Sequence, residues 1–220
     1  MKQLFHGIFE NKSRLFTKNL VLGKKVYGEL LVAEGNIEFR EWVPWRSKLG
    51  AAIKNGLKEV PLKTGSNVLY LGSSEGTTPS HISDVIGAKG MLLGVDISER
   101  VMRKFIQLCE ERGNMLPILA DADKPERYKE HLKGIKVDFL FQDISQKNQA
   151  EIFNKNAALF LEKGKPGLIA LKAKSISQRE TPQEVYRKEI KELEKEFNVK
   201  QVVLLQPFEK DHALVFGEKK

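Results

Sequence analysis

Residues 67–87, NVLYLGSSEGTTPSHISDVIG, decide the fold. An apolar segment, NVLYLG, runs into a turn of small residues and then into a segment whose apolar side chains have helical spacing. A strand followed by such a turn and a helix is the unit from which parallel α/β sheets are built. In these sheets ligands bind beyond the carboxyl ends of the strands, so the turn is the first place where we expect a ligand.

The chain continues this alternation from residue 90 onward. Six further segments have strand character, and helical spacing separates most of them: residues 90–97, 115–121, 137–143, 167–174, 199–206 and 212–218. The alternation predicts a mainly parallel sheet covered by helices on both faces. The last two segments are joined only by QPFEKD, which is too short for a crossover helix, so we expect them to pair antiparallel.

The N-terminal part of the chain has a different pattern. In residues 24–42, KKVYGELLVAEGNIEFREW, apolar and polar residues alternate on both sides of AEGN, which predicts a β-hairpin. Residues 46–60, RSKLGAAIKNGLKEV, fit a short helix. We therefore predict a small β-rich appendage, residues 1–50, followed by a main α/β domain, residues 51–220.

The clearest helix signal lies in residues 181–197, TPQEVYRKEIKELEKEF. Thr181 as N-cap and Glu184 three residues later form a capping box, with a proline in the first turn. An apolar stripe runs from Tyr186 to Phe197 and predicts that the helix reaches Phe197.

The composition is that of an ordinary globular protein with an excess of positive charge. Hydrophobic residues make up 41% and charged residues 30%, and no apolar run approaches the ~20 residues of a membrane helix. The net charge of +8, from 37 Lys and Arg against 29 Asp and Glu, indicates a polyanionic partner such as nucleic acid. The N-terminus lacks the apolar core of a signal peptide, so we expect a cytoplasmic protein. A single cysteine, Cys109, predicts no disulfide, and we expect no metal site.

The glycine turn favours a nucleoside ligand without phosphates. Gly72 and Gly76 are expected to let the backbone approach the ligand, while Thr77 and Thr78 open the next helix with hydroxyl and N–H groups. The G-x-x-x-G spacing differs from the G-x-G-x-x-G of dinucleotide-binding folds, which argues against a nicotinamide dehydrogenase, and no G-K-[ST] follows.

Acidic residues at the next two strand ends support the same ligand. Asp96 ends the second strand, where a carboxylate bonds ribose hydroxyls in folds of this kind. Asp121 and the backbone of Ala122 follow the third strand, where they could read an adenine edge. Together with the glycine turn, these positions favour S-adenosylmethionine as the cofactor.

Five segments of the chain, in this order, resemble the fibrillarin family. They are residues 45–53 (WRSKLGAAI), 67–87, 137–149 (VDFLFQDISQKNQ), 168–176 (LIALKAKSI) and 208–216 (FEKDHALVF). The resemblance covers the whole chain, and the absence of a Gly/Arg-rich N-terminal tail is similar to the archaeal members. It implies the Rossmann-like fold of S-adenosylmethionine-dependent methyltransferases, a seven-stranded sheet with an antiparallel last strand. It also implies a 2′-O-methyltransferase of rRNA and tRNA that works with a Nop-domain scaffold protein, a kink-turn-binding protein and a box C/D guide RNA.

The resemblance also implies the site residues. The family's catalytic lysines, aspartate and histidine match Lys48, Lys172, Asp143 and His212. Its cofactor contacts match Thr77, Thr78, Asp96, Ile97, Asp121, Ala122, Asp143, Ile144, Ser145 and Gln146, beside Gly72 of the turn. Asp96 stands where the family often has glutamate, Lys147 where it has proline, and Ser177 where it has aspartate.

These residue types suit methyl transfer to a ribose hydroxyl. A 2′-hydroxyl is a poor nucleophile, so the protein must align it and handle its proton. Asp143 can accept or orient that proton and Lys172 can stabilise alkoxide charge, while Lys48 and His212 can position the ribose and phosphate. A methyltransferase of small molecules or proteins and a non-catalytic RNA-binding scaffold are the alternatives.

Three conspicuous residues are expected to be structural. His81 lies on the helix after the glycine turn, where we predict a packing or capping role. Trp42 and Trp45 are predicted to pack the appendage onto the main domain rather than to stack on bases.

Overall fold

The computed structural model describes all 220 residues and contains two β-sheets. The strands of the smaller, antiparallel sheet are β1 (Lys2–Phe5), β2 (Ile8–Asn11), β3 (Arg14–Lys18), β4 (Leu31–Glu34) and β5 (Ile37–Trp42), in the order β1-β2-β3-β5-β4. The predicted hairpin is confirmed as β4 and β5, but its first strand begins at Leu31 rather than Lys24. The chain before Leu31 turns because the buried Glu29 carboxylate accepts hydrogen bonds from the N–H groups of Val26 and Tyr27.

The larger sheet has seven strands. They are β6 (Asn67–Leu71), β7 (Met91–Asp96), β8 (Met115–Leu119), β9 (Phe139–Gln142), β10 (Pro166–Lys172), β11 (Phe197–Leu204) and β12 (His212–Lys219). Their order is β11-β12-β10-β9-β6-β7-β8. Strands β6 to β10 are parallel to one another, whereas β12 runs antiparallel to both β10 and β11, as predicted. The chain order reverses between β6 and β9, so a crevice opens beyond the carboxyl ends of these two strands.

Six helices accompany the sheets. They are α1 (Lys48–Lys54), α2 (Thr77–Ile86), α3 (Glu99–Arg112), α4 (Gln149–Phe160), α5 (Ala173–Ile176) and α6 (Pro182–Leu193). The capping box of Thr181 and Glu184 is confirmed. The prediction that α6 reaches Phe197 is wrong, because Phe197 begins β11 and packs its ring against Phe153, with the centroids 4.9 Å apart. None of the helices combines the length and apolar character that crossing a lipid bilayer requires.

Helices cover both faces of the larger sheet, as predicted. Val68 and Tyr70 of β6 join a buried cluster with α1, α2 and α3. Leu69 and Leu71, which point to the other face, join a cluster with α4 and α6. The sheet is therefore buried on both sides, and its strand ends are left as the accessible edge.

The small sheet packs on the first of these faces. The fully buried Arg40 of β5 forms ion pairs of 2.6 Å with Glu29 and 2.8 Å with Asp84 of α2. Because a buried charge is stable only when it is paired, this network fixes the two sheets relative to each other. The domain boundary at residue 50 stays a prediction; the small sheet ends at Trp42, and α1 spans residue 50.

Candidate active site

A cavity of about 510 Å³ lies at the carboxyl ends of the parallel strands. Eight of the residues predicted to contact the cofactor line it: Gly72, Asp96, Ile97, Ala122, Asp143, Ile144, Ser145 and Gln146. The catalytic candidate Lys172 lines it as well. The structure therefore brings most of the predicted cofactor residues to one cavity at the point where the strand order reverses.

Three predicted cofactor residues do not line this cavity. The hydroxyl of the buried Thr78 donates to Ser47 Oγ at 2.9 Å, which ties α2 to the N-cap of α1. Thr77 faces a separate cavity. Asp121 lies behind Gln146, whose amide donates to the Asp121 carboxylate at 3.1 Å.

The two glycines of the turn serve close packing within the chain. Gly72 has a φ of +85°, and a Cβ there would lie 2.6 Å from the carbonyl oxygen of Asp143. A Cβ on Gly76, with a φ of +95°, would overlap the side chain of Leu108 in α3. The expectation that both glycines let the backbone approach a ligand is therefore wrong for Gly76, whereas Gly72 also lines the cavity.

Asp96 is held rigidly at the mouth of the cavity. Its Oδ2 accepts a hydrogen bond from the Ser74 N–H at 2.8 Å, and its Oδ1 accepts one from the Ser98 N–H at 2.9 Å. Each carboxylate oxygen has a further lone pair, so both can still accept a ligand hydroxyl. The carboxylate thus joins the glycine turn to the end of β7 and remains available to a ribose.

Asp143, directly after β9, lies between two lysines. Lys48 Nζ of α1 is 3.1 Å from Asp143 Oδ2, and Lys172 Nζ at the end of β10 is 2.8 Å from Asp143 Oδ1. The hydrogen bonds of Lys172 Nζ go to the Asp143 carbonyl at 3.2 Å and to Ser145 Oγ at 3.1 Å. Asp143 Oδ1 is buried, and the Lys172 ammonium is its ionic partner.

His212 completes the cluster through the pairing of β10 with β12. It lies directly opposite Lys172 in the antiparallel register. Its Nδ1 is 3.2 Å from Glu209 Oε2, and Glu209 Oε1 is 3.8 Å from Lys48 Nζ. The structure therefore brings all four predicted catalytic residues together and adds Glu209, which sequence reasoning missed. The sequence signal that could have identified Glu209 is an acidic residue three positions before the histidine in FEKDH.

The charges around His212 favour its neutral form. Burial lowers the pKa of His212 below 6.5, and the ammonium groups of Lys48 and Lys172 lower it further. The carboxylates of Glu209 and Asp143 act in the opposite direction. Tyr70 is also affected by the cluster. Burial, followed by the charge of Asp143, raises the pKa of its phenol well above 10.0, so this phenol stays protonated.

The structural roles expected for His81 and Trp42 are confirmed. His81 is fully buried, stacks on Trp42 with centroids 4.8 Å apart, and hydrogen-bonds to Thr17 at 2.9 Å and to Tyr27 at 2.7 Å. Trp45 contacts the main domain through Phe208, with the ring centroids 5.0 Å apart, but it remains 60% exposed.

Known proteins share this fold and much of this sequence. A family model described as fibrillarin matches residues 1–220. The fibrillarin-like rRNA/tRNA 2′-O-methyltransferase of Pyrococcus abyssi is 46% identical over 223 residues, which cover 99% of this chain and 97% of that protein. The crystal structure of Aeropyrum pernix fibrillarin with natively bound S-adenosyl-L-methionine has a TM-score of 0.86 at 46% identity, covering 93% of this chain and 88% of that one. The fibrillarin of a fibrillarin/Nop5p complex has a TM-score of 0.89 at 38% identity and covers all of both chains. The chain described here therefore belongs to the fibrillarin family.

Proposed function

We propose that this chain is the catalytic subunit of a box C/D guide-RNA complex and methylates ribose 2′-hydroxyls of rRNA and tRNA, with S-adenosylmethionine as the methyl donor. The observation that supports this best is the Asp143 carboxylate between Lys48 and Lys172 at the wall of the cavity. A carboxylate beside two cations suits deprotonation of a hydroxyl whose oxygen must bear negative charge.

The cavity has the donors and walls that S-adenosylmethionine requires. Its apolar lining includes Val95, Ile97 and Ile144, which suit a flat base, and the Asp96 carboxylate suits two ribose hydroxyls. When bound, the cofactor supplies a methyl group that is already activated by a positively charged sulfur. The residues of this chain then have to orient the acceptor hydroxyl, remove its proton and exclude competing water.

Each charged residue of the cluster has a distinct task in this proposal. The Asp143 carboxylate accepts the 2′-hydroxyl proton as the ribose oxygen gains its methyl group. Lys172, 2.8 Å from Asp143 Oδ1, stabilises the negative charge that develops on the ribose oxygen. Lys48 holds the other carboxylate oxygen, and neutral His212 offers Nε2 as an acceptor while its Nδ1 faces Glu209.

We propose that target selection comes from partners. The net charge of +8 suits RNA, yet the chain contains no RRM-type sheet of exposed aromatic residues that could read bases. The likeness to the fibrillarin of a fibrillarin/Nop5p complex supports a Nop-domain scaffold protein as one partner. A kink-turn-binding protein and a guide RNA would complete the assembly and bring the target ribose to Asp143.

Reconstitution tests this proposal. The chain is combined with scaffold protein, kink-turn-binding protein, guide RNA and a matched target RNA, and methylated riboses are mapped. We expect one methylated ribose that moves when the guide sequence changes, and little methylation by the chain alone. Efficient, sequence-selective methylation by the isolated chain would contradict the role of the guide. Methylation of only small molecules or proteins, or no methylation in the assembled complex, would favour the alternative functions.

A further inference from the structure

A second cavity adjoins the active site and is strongly basic. It has a volume of about 630 Å³ and lies between the segment after β9 and the segment around α5. We call it the basic cavity; its polar lining consists of Ser145, Lys147, Lys174, Ser175, Ser177, Gln178 and Arg179. Ser145 also lines the cofactor cavity, so the two cavities share a wall.

The positive charge of the basic cavity is not neutralised within the chain. Lys147, Lys174 and Arg179 are exposed, and none of them forms an ion pair. The nearest acidic residue in sequence, Glu180, is paired with Lys188 instead. Three unpaired cations around one concave surface attract an anion more strongly than the same charges scattered over a convex face.

Hydroxyl groups add directional donors to this charge. Ser177 Oγ accepts hydrogen bonds from the N–H groups of Arg179 at 3.3 Å and Glu180 at 3.2 Å. Ser145 Oγ accepts from Lys172 Nζ at 3.1 Å. Because both oxygens act as acceptors toward the protein, both O–H groups are free to donate to a ligand. The ligand that suits such a site is an anion with several acceptor oxygens.

Ser145 also sets how far the basic cavity lies from the reacting group. Lys172 Nζ bonds Ser145 Oγ and lies 2.8 Å from Asp143 Oδ1, so a single side chain separates the cavity from the proposed base. In RNA the carbon next to the 2′-carbon bears the 3′-phosphodiester. A ribose whose 2′-hydroxyl reaches Asp143 therefore brings a phosphate to the neighbourhood of the basic cavity.

We propose that the basic cavity binds the phosphodiester backbone of the RNA strand that contains the target ribose. This inference rests on the proposed function and adds a binding site to it. Arg and Lys with hydroxyl donors are the groups that hold RNA and DNA phosphates and set the register of the strand. Lys147 and Ser177 are also two positions at which the sequence departs from the family pattern, and both changes make the site more positive.

The test compares two triple variants in the reconstituted guide-RNA complex. The first, Lys147→Gln/Lys174→Gln/Arg179→Gln, removes the cations of the basic cavity. The control, Lys63→Gln/Lys89→Gln/Lys163→Gln, removes three exposed, unpaired cations from loops that lead into β6, β7 and β10, at the opposite edge of the sheet. Both lose the same charge. Methylation is measured against target RNA concentration and salt, and S-adenosylmethionine binding to the free chain is measured by calorimetry.

We expect the first variant to need roughly tenfold more target RNA for half-maximal rate, as the loss of three exposed charge contacts predicts. Its salt slope, the change of log affinity with log salt concentration, should become shallower by about 2. The maximal rate and cofactor affinity should stay within about twofold, and the control should resemble the native chain. Equal half-saturation in both variants would overturn the inference. So would failure of the first variant to bind the scaffold protein without RNA, because the cavity would then hold an acidic protein segment. If the native complex does not methylate RNA, the proposed function fails first.

Discussion

Replacing Lys172 with alanine removes the ammonium that lies 2.8 Å from Asp143 Oδ1 and leaves the fold-forming residues of β10 in place. In the proposed mechanism this ammonium faces the ribose oxygen as it loses its proton and becomes negative. The variant should therefore slow the chemical step and have little effect on cofactor binding. The matched control is Lys165→Ala, which breaks an ion pair of the same length with Asp138 near the start of β10.

The distance sets the size of the effect. A unit negative charge on a ribose oxygen as close to Lys172 Nζ as Asp143 Oδ1 is, at 2.8 Å, would interact with it by about 1.5 kcal/mol in bulk water and by about 6 kcal/mol at an effective dielectric constant of about 20. The side chains of Lys172 and Asp143 are only 12% and 16% exposed, so the value should lie well above the aqueous limit. With a tenfold change in rate for each ~1.4 kcal/mol, we expect a loss of about 10²- to 10⁴-fold.

Single-turnover methylation in the assembled complex measures this loss, with assembly checked by gel filtration. Asp143→Asn should reduce the rate by a similar factor, and the double variant should be little worse than the slower single variant, because the two residues act on one proton transfer. Lys165→Ala should retain the native rate. Near-native methylation by Lys172→Ala in an intact complex would refute the reasoning and leave this lysine with RNA binding alone.

Three other predictions follow from single contacts. Glu209→Gln removes a carboxylate that raises the pKa of His212, so the NMR titration midpoint of His212 should move to lower pH; an unchanged midpoint would contradict the contact. Arg40→Met should lower the free energy of unfolding by about 3–5 kcal/mol in urea, because it leaves the buried Glu29 carboxylate without an ionic partner, whereas Arg14→Met, whose side chain is 59% exposed, should cost below about 1 kcal/mol. Equal losses would disprove this difference. Asp96→Ala should weaken S-adenosylmethionine binding in calorimetry by about 1.5–3 kcal/mol, and unchanged affinity would remove Asp96 from the site.

Local patterns in the sequence were sufficient for the architecture of the larger sheet. Its five interior strands, β6, β7, β9, β10 and β12, coincide with apolar segments, because strands buried on both faces need continuous apolar runs. The QPFEKD connection is too short for a crossover helix, so this connection alone required β11 and β12 to pair antiparallel. The end of α6 was less predictable, because Phe197 continues the helical stripe in sequence but is buried against Phe153 as a strand residue.

The sequence predicted the residues of the candidate site, and the tertiary structure showed that they meet. Motifs in the sequence named Lys48, Asp143, Lys172 and His212, but nothing in their spacing along the chain shows that they meet. Their convergence follows from the parallel pairing of β9 with β10, the antiparallel pairing of β10 with β12, and the packing of α1 on the sheet. Glu209 joins the cluster only through these contacts.

The sequence by itself determined the order of strands and helices in the main domain, the family and the residue types of the site, because these depend on local composition and on motifs read along the chain. Only the tertiary structure decided that Gly76 serves the packing of α3, that Trp45 is exposed, and that the cations of the basic cavity surround one surface beside Ser145. Such properties depend on distances between side chains that are far apart in the sequence. They are set by strand register and core packing, which no local pattern encodes.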